Sequence, residues 1–321
     1  MKTVITDRSL SLFTLDEHAE PAHIFGYISA LRDAGVRFVE MDFRTVMKMT
    51  ELPDGVKYIF RVTDPVFLDM ADAFDFDYML ITPLDYKTRI DARIPVIAEL
   101  PGGITCVPQL VHFVNMQVGG KLSMIRLKRD FDMMSVEEAA RYVNRMKAAV
   151  TVPLDFCPMN GKKNALDTAI KFSLAGADSI TMTIGTSTNY ASIEEYLFTL
   201  MSVYNTIPSE LDMGAVCRAA VFHSIIFRNG RDSIRQIMRI LDRDISGLIN
   251  ADTGERVKMS VTLRDTQLLH RSFVSALEHM AREENIPPDL VRDMTEAIRH
   301  YNVGVFNEEL MRKDGGKGLL N

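Results

Sequence analysis

Charged and hydroxyl side chains at the ends of short apolar runs are the first feature of this sequence that points to chemistry. Asp7 follows the run Thr3–Thr6, Glu40 and Asp42 belong to the run from Val36, and Arg61 lies within Tyr58–Val62. Glu99 closes Pro95–Leu100, Arg126 and Lys128 close Ser123–Leu127, and Asp155 and Cys157 close Val152–Phe156. Thr181 and Thr183 lie in Ser179–Ile184, with Asn189 just beyond it. Carboxylates can move protons, guanidiniums can bind carboxylates or stabilise an enolate, and a desolvated lysine can attack a carbonyl. A charge within an apolar strand is costly unless it is paired or functional. Glu40, Arg61, Glu99, Arg126 and Asp155 therefore form a set, two cations against three carboxylates. The alternative is that strand alternation turns some of them outward, or that they pair with one another for structural reasons alone.

The elements that must position these groups follow a βα rhythm. Eight apolar or β-branched runs, those above together with Tyr78–Ile81, alternate with stretches suited to helices: Pro21–Ala34, Pro65–Ala73, Val136–Ala148, Lys163–Ala175 and Ile193–Tyr204. In the last, Ile193, Leu197, Leu200, Met201 and Tyr204 fall on one helical face. Gly35 and Gly176 sit where a left-handed residue ends a helix. Asp64-Pro65 offers an N-cap followed by proline at the first helical position. Eight such units with short joints predict an α/β fold, a (β/α)8 TIM barrel over 1–206, in which active groups gather at the carboxyl ends of the strands. No Gly-x-Gly-x-x-Gly follows any run, which argues against an open dinucleotide-binding sheet. Beyond residue 206 the pattern predicts a mainly helical C-terminal extension, 207–321: helices at Leu211–Phe227, Asp232–Leu241, Leu263–Glu284 and Asp289–His300, a small hairpin over Leu248–Val261, and a frayed end. Such an appendage covers one barrel mouth or dimerises, so a homo-oligomer is expected.

Composition narrows the function classes. The 321 residues carry 37 basic against 43 acidic side chains, so no basic field for a nucleic-acid backbone is implied. The most apolar stretch, Ala219–Phe227, is too short to cross a bilayer and no signal peptide is read at the start, so no membrane partner is expected. Cys106, Cys157 and Cys217 are odd in number and widely spaced, which suits reduced thiols and a cytoplasmic protein. The histidines form no close pair, giving little support to a histidine metal site.

Three segments resemble the family of homocitrate synthase, isopropylmalate synthase and HMG-CoA lyase. The stretch from Ala30 to Glu40 resembles its L-x-x-x-G-V-x-x-I-E segment, Ala165–Asp178 the helix after its strand seven, and Thr188–Leu197 its G-N-A-S-L-E-E-V segment. The resemblance covers about residues 1–205 and implies a barrel acting at a carbonyl of a small oxo-acid. The family's opening D-x-T-L-R-D-G supplies an enolate-stabilising arginine and a metal-binding aspartate. Here it reads Asp7-Arg8-Ser9-Leu10-Ser11-Leu12-Phe13, with Ser11 in place of that arginine and Leu12 in place of that aspartate. The family's His-x-His-Asn-Asp becomes Cys157-Pro158-Met159-Asn160-Gly161, so both metal histidines are replaced. Asn189 matches the family's metal-binding asparagine. A soft cysteine–methionine pair suits Mg, Mn or Zn poorly, so the resemblance implies altered or no metal dependence. The string Thr262-Leu263-Arg264-Asp265 repeats the family's lost letters beyond strand eight, where a helix N-terminus explains it.

Two hypotheses follow. The first is an enzyme forming or cleaving a carbon–carbon bond next to the carbonyl of a small oxo-acid or another carboxylate. Glu40, Arg61, Glu99, Arg126, Lys128 and Asp155 would be catalytic, and Asp7, Asp42, Thr181, Thr183 and Asn189 would bind substrate. No cofactor or metal ligand is assigned, although the resemblance allows a divalent metal. In a metal-free reaction Lys128 is the residue to engage the carbonyl, unless it merely begins an exposed loop. Pro101-Gly102-Gly103 could present N–H groups to an anion or form an ordinary turn, and Cys157 is read as an inert buried thiol. The second hypothesis is a catalytically silent barrel that binds a metabolite or a partner protein.

Overall fold

The computed structural model describes residues 3–227 apart from 69, 83–89, 102–106, 163, 186–188 and 205–211, together with short stretches between 274 and 295. Eight parallel strands close into a barrel in sequence order: β1 (Val4–Asp7), β2 (Phe38–Asp42), β3 (Lys57–Arg61), β4 (Tyr78–Ile81), β5 (Val96–Pro101), β6 (Leu122–Arg129), β7 (Leu154–Pro158) and β8 (Ser179–Met182). Closure comes from β8, whose Ser179–Met182 pair in register with Val4–Asp7. Each expected strand is present, its ends moved by no more than two residues.

Helices follow the strands: α1 (Ser9–Leu12), α2 (Pro21–Asp33), α3 (Phe43–Val46), α4 (Met70–Ala73), α5 (Val107–Gln117), α6 (Val136–Ala149), α7 (Ala165–Leu174), α8 (Ile193–Tyr204) and α9 (Met213–Ile226). Local sequence accounts for their limits. Gly35 (φ 85°) and Gly176 (φ 83°) take the left-handed conformation that turns α2 and α7 back toward a strand. Ser135 accepts from the Glu138 N–H while Glu138 reaches back to the Ser135 N–H, a reciprocal box at the start of α6. The single helix expected over Pro65–Ala73 is instead a 3-10 turn, Pro65–Phe67, followed by the short α4. Asp64 does cap it, accepting from Val66 N at 3.0 Å, but Val66 is 72% exposed and gives the first turn little packing to hold a longer helix.

Alternation along the strands divides the core in two. One set of alternate positions, Ile5, Val39, Met41, Leu127, Leu154 and Phe156 among them, faces the helices, where Phe156 packs on Phe172 with ring centroids 4.7 Å apart. Inside the barrel, Ile59, Leu80, Ile97 and Met124 form a separate apolar plug with Phe38 and Tyr78 against them. Each fully buried side chain of this kind contributes roughly 1.5–3 kcal/mol. The plug fills the amino-terminal half of the interior and leaves the carboxyl half to polar groups.

Of the C-terminal extension, α9 is seen packed on α2, where the ring of Phe222 lies against Gly26. Residues 277–282 are helical, with Leu277 and Met280 buried. Asp232–Leu241, the hairpin, the Thr262–Asp265 string, the start of the Leu263–Glu284 helix, most of Asp289–His300 and the frayed end lie outside the described residues, as does the expected boundary at 206. Among the described residues no helix is long and apolar enough to cross a membrane.

Candidate active site

Parallel register carries the interior positions around the barrel in sequence. Glu40 pairs with Ile59, Asp42 with Arg61, Glu99 with Arg126, Lys128 with Cys157, and Arg126 with Asp155. One step above the plug, strand geometry therefore gathers Glu40, Arg61, Glu99, Arg126, Asp155 and Thr181 into one layer at the carboxyl ends of the strands.

That layer is a continuous ionic network. Arg126, wholly buried, lies at its centre: Nε donates to Asp155 Oδ2 at 2.5 Å and Nη1 donates to Glu40 Oε2, with Glu99 Oε2 at 3.6 Å. Arg61 joins two carboxylates, Nε to Glu40 Oε1 and Nη2 to Glu99 Oε2, both at 2.6 Å. Lys128 Nζ stands 3.5 Å from Glu99 Oε1. Thr181 Oγ1 donates to Asp155 Oδ2 at 2.6 Å, and Ser11 Oγ donates to Glu40 Oε1 at 2.5 Å. Burial alone would raise the Glu40 and Glu99 carboxyls, but the guanidiniums overcome it. Arg126, Arg61 and Arg8 hold Glu40 well below the carboxylate range; Arg61, Arg126 and Arg8 bring Glu99 down to about 2. The cations nearest solvent are Lys128 and Arg61, their side chains 29% and 13% exposed.

Three sequence candidates stand apart from this network. Asp7 shares the outward phase of Ile5: its carboxylate accepts from Ser9 Oγ at 2.7 Å, Ser9 N at 3.2 Å and Tyr27 OH at 3.1 Å, toward α2 rather than the mouth. Burial there pushes its pKa up to about 7. Asp42 caps α3, accepting from Thr45 N at 3.2 Å and from Arg44 Nε at 2.7 Å. Asn189 is exposed, with its carbonyl accepting from Asn160 N at 2.7 Å. Thr183 is buried, and its backbone pairs with Ala191 and Ile193. Gly102 and Gly103 lie outside the described residues.

Arg8 was not among the sequence candidates. It faces inward one residue beyond β1, with Nη1 3.3 Å from Cys157 Sγ and 4.0 Å from Glu99 Oε2 and its guanidinium 4.4 Å above the Tyr190 ring. The signal for it was present: Ile5 belongs with the helices, so the alternate phase through Thr6 must bring residue 8 inside. Beside it, burial pushes the Cys157 thiol up against the pull of Arg8 and Arg126, so the sulfur is uncharged at neutral pH.

The divalent cation that the family resemblance allows does not fit these residues. The oxygens of Asp7 are turned outward and engaged, and Leu12 and Met159 stand where the resembled family has an aspartate and a histidine. The Arg8 guanidinium lies against the Cys157 sulfur, where a cation would have to sit. Among the described residues no group of three or more His, Cys, Asp or Glu is placed to hold a metal ion.

Solved structures with the same architecture include HMG-CoA lyases. The Bacillus subtilis lyase is 12% identical with a TM-score of 0.51, over 68% of this chain and 91% of that one. The Pseudomonas aeruginosa hydroxymethylglutaryl-CoA lyase is 12% identical at 0.51, over 69% and 91%. A lyase from Acinetobacter baumannii, solved with coenzyme A and 3-methylmalate, is 11% identical at 0.53, over 70% and 90%. No protein-family model matches the chain, and no curated protein matches it significantly in sequence. The class so defined is a (β/α)8 barrel with the fold of the HMG-CoA lyases. At these identities the likeness is one of fold alone.

Proposed function

We propose that the chain is a carbon–carbon bond lyase or acyltransferase of the homocitrate synthase and HMG-CoA lyase kind, acting next to the carbonyl of a small oxo-acid. The observation that carries this reading is the buried ionic layer at the carboxyl end of the barrel, where enzymes of this fold place their chemistry. Lys128 and Arg61, the cations reachable from solvent, receive the substrate carboxylate. Asp155 is the proton acceptor: its Oδ2 is fixed by Arg126 and Thr181, while its buried Oδ1 has no hydrogen-bond partner among the described residues. Glu99, held at about 2, is a weak base at neutral pH and serves instead to orient Arg61 and Lys128. In cleavage, Asp155 takes the proton of a hydroxyl on the carbon being released. The carbon–carbon bond then breaks, its electron pair enters the neighbouring carbonyl as an enolate beside the guanidiniums, and a proton returns to the enolate carbon.

Proton exchange tests this reading. Wild-type protein in D2O, followed by NMR with a panel of oxo-acids and short acyl-CoA esters, should incorporate deuterium beside one carbonyl or release a cleavage product. D155N should slow that reaction by about 10²–10⁴-fold. No exchange or product with any member, or an unchanged rate in D155N, would overturn it. The mutual pairing of Glu40, Arg61, Glu99 and Arg126 favours a second reading, a silent barrel whose network is structural. That reading expects ligand binding without exchange.

A further inference from the structure

Among the described residues, the interior of the mouth carries more positive than negative charge. Arg8, Arg61, Arg126 and Lys128 face the carboxylates of Glu40, Glu99 and Asp155, four cations against three. The neighbouring ionisable groups do not redress this: Asp7 faces α2, Asp42 is matched by Arg44, and the Cys157 thiol is uncharged. Two of the guanidiniums also hold buried N–H groups with no hydrogen-bond partner among the described residues, Nε of Arg8 and Nη2 of Arg126. The Nη1 atoms of the same two arginines converge on one oxygen, Glu99 Oε2, at 4.0 and 3.6 Å, so both guanidiniums border the same space. Buried charged donors in native proteins are almost always satisfied, by protein, water or ligand.

We propose that Arg8 and Arg126 form a binding site for a small planar dianion that works without a divalent metal, the guanidiniums occupying the electrostatic role that a metal ion would otherwise fill. This rests on the reading of the mouth as the reaction site and extends it by naming Arg8 and the cation requirement. Planar guanidinium forks match a carboxylate or an enediolate edge, and an excess of positive charge in a water-poor space favours an anion over a neutral sugar or amine. Tyr190 is the positioning residue for this site, its ring holding the Arg8 guanidinium from the side opposite to a bound anion.

Calorimetry with oxalate, a planar dianion of the enolpyruvate type, tests the proposal on the full chain. With a chelator present throughout, wild type should bind one oxalate, and adding Mg or Mn should leave the affinity within about twofold. R8M should weaken binding by about ten- to a hundredfold, and R8K, which keeps the charge but loses the fork, by about tenfold. Y190L should weaken it several-fold without abolishing it. Should R8M fail to fold, the wild-type titrations in chelator and with added Mg or Mn still decide. Binding that appears only with added metal would overturn the proposal, as would no binding or an affinity indifferent to R8K. The two readings fail separately. Oxalate binding in chelator without any deuterium exchange sinks the enzymatic reading alone, whereas exchange that requires metal sinks the metal-free site alone.

Discussion

Replacing Asp7 with asparagine should make the protein more stable at neutral pH, and the gain should grow with pH in a defined window. The Asp7 carboxyl is wholly buried behind β1, and burial raises it from the ordinary aspartate value of 3.8 to about 7. For a carboxyl raised on folding, the stabilising contribution is complete below 3.8 and is lost as pH rises through about 7. The gap corresponds to about 4 kcal/mol of destabilisation once the group is fully ionised in the folded state. Asparagine removes that cost while keeping the geometry available to protonated Asp7. Its Oδ1 can accept from Tyr27 OH and Ser9 N, and its Nδ2 can donate to Ser9 Oγ, which already accepts from Ile184 N at 2.9 Å. Urea unfolding of wild type and D7N between pH 4 and pH 8 measures the difference. Glu194, also raised to about 7 by burial, titrates in both proteins and cancels. The D7N advantage should rise by roughly 3–4 kcal/mol across the window and level off above neutrality. A difference that stays flat with pH would show that Asp7 ionises without penalty and that its outward placement is wrong.

Other substitutions probe packing and pairing. R126M should cost about 3–5 kcal/mol in urea unfolding, because it leaves Glu40 and Asp155 buried without their central cation. Adding E40Q to R126M should recover part of that loss, with a coupling of about 1–3 kcal/mol; strict additivity would argue against a shared network. G26A should lower the melting temperature by the equivalent of about 1–3 kcal/mol, since its Cβ would fall 2.3 Å from the Phe222 ring, and F222L should restore much of it. S135A should cost about 1 kcal/mol through loss of the reciprocal cap on α6, read as a shift in thermal midpoint.

The barrel was readable from sequence because two periods alternate in it, short apolar runs and helical faces punctuated by glycine at residues 35 and 176. The interior charges were readable for the same reason. Glu40, Arg61, Glu99, Arg126 and Asp155 interrupt runs that otherwise bury well, and only mutual pairing at a common level makes them tolerable. Asp7 and Arg8 were misjudged by phase. Position at a strand end says nothing of which face a side chain takes, and in a four-residue strand only Ile5 discloses it. Asp42 misled differently: it continues the inward phase of Glu40, yet the chain turns into α3 there and uses the carboxylate as a cap. The helix over Pro65–Ala73 failed because capping signals start a helix but do not supply the apolar surface that lengthens it.

The adjacency of Asp7 and Arg8 has a consequence for how the ring closes. Sliding β1 by a single residue against β8 would thrust a carboxylate among Glu40, Glu99 and Asp155 and strand a guanidinium beneath the rings of Tyr27 and Phe227. Neither neighbourhood could absorb the intruder. Opposite charges on consecutive residues thus act as a key that fits its lock in one setting, so the seam of the barrel is indexed by electrostatics as much as by its hydrogen bonds.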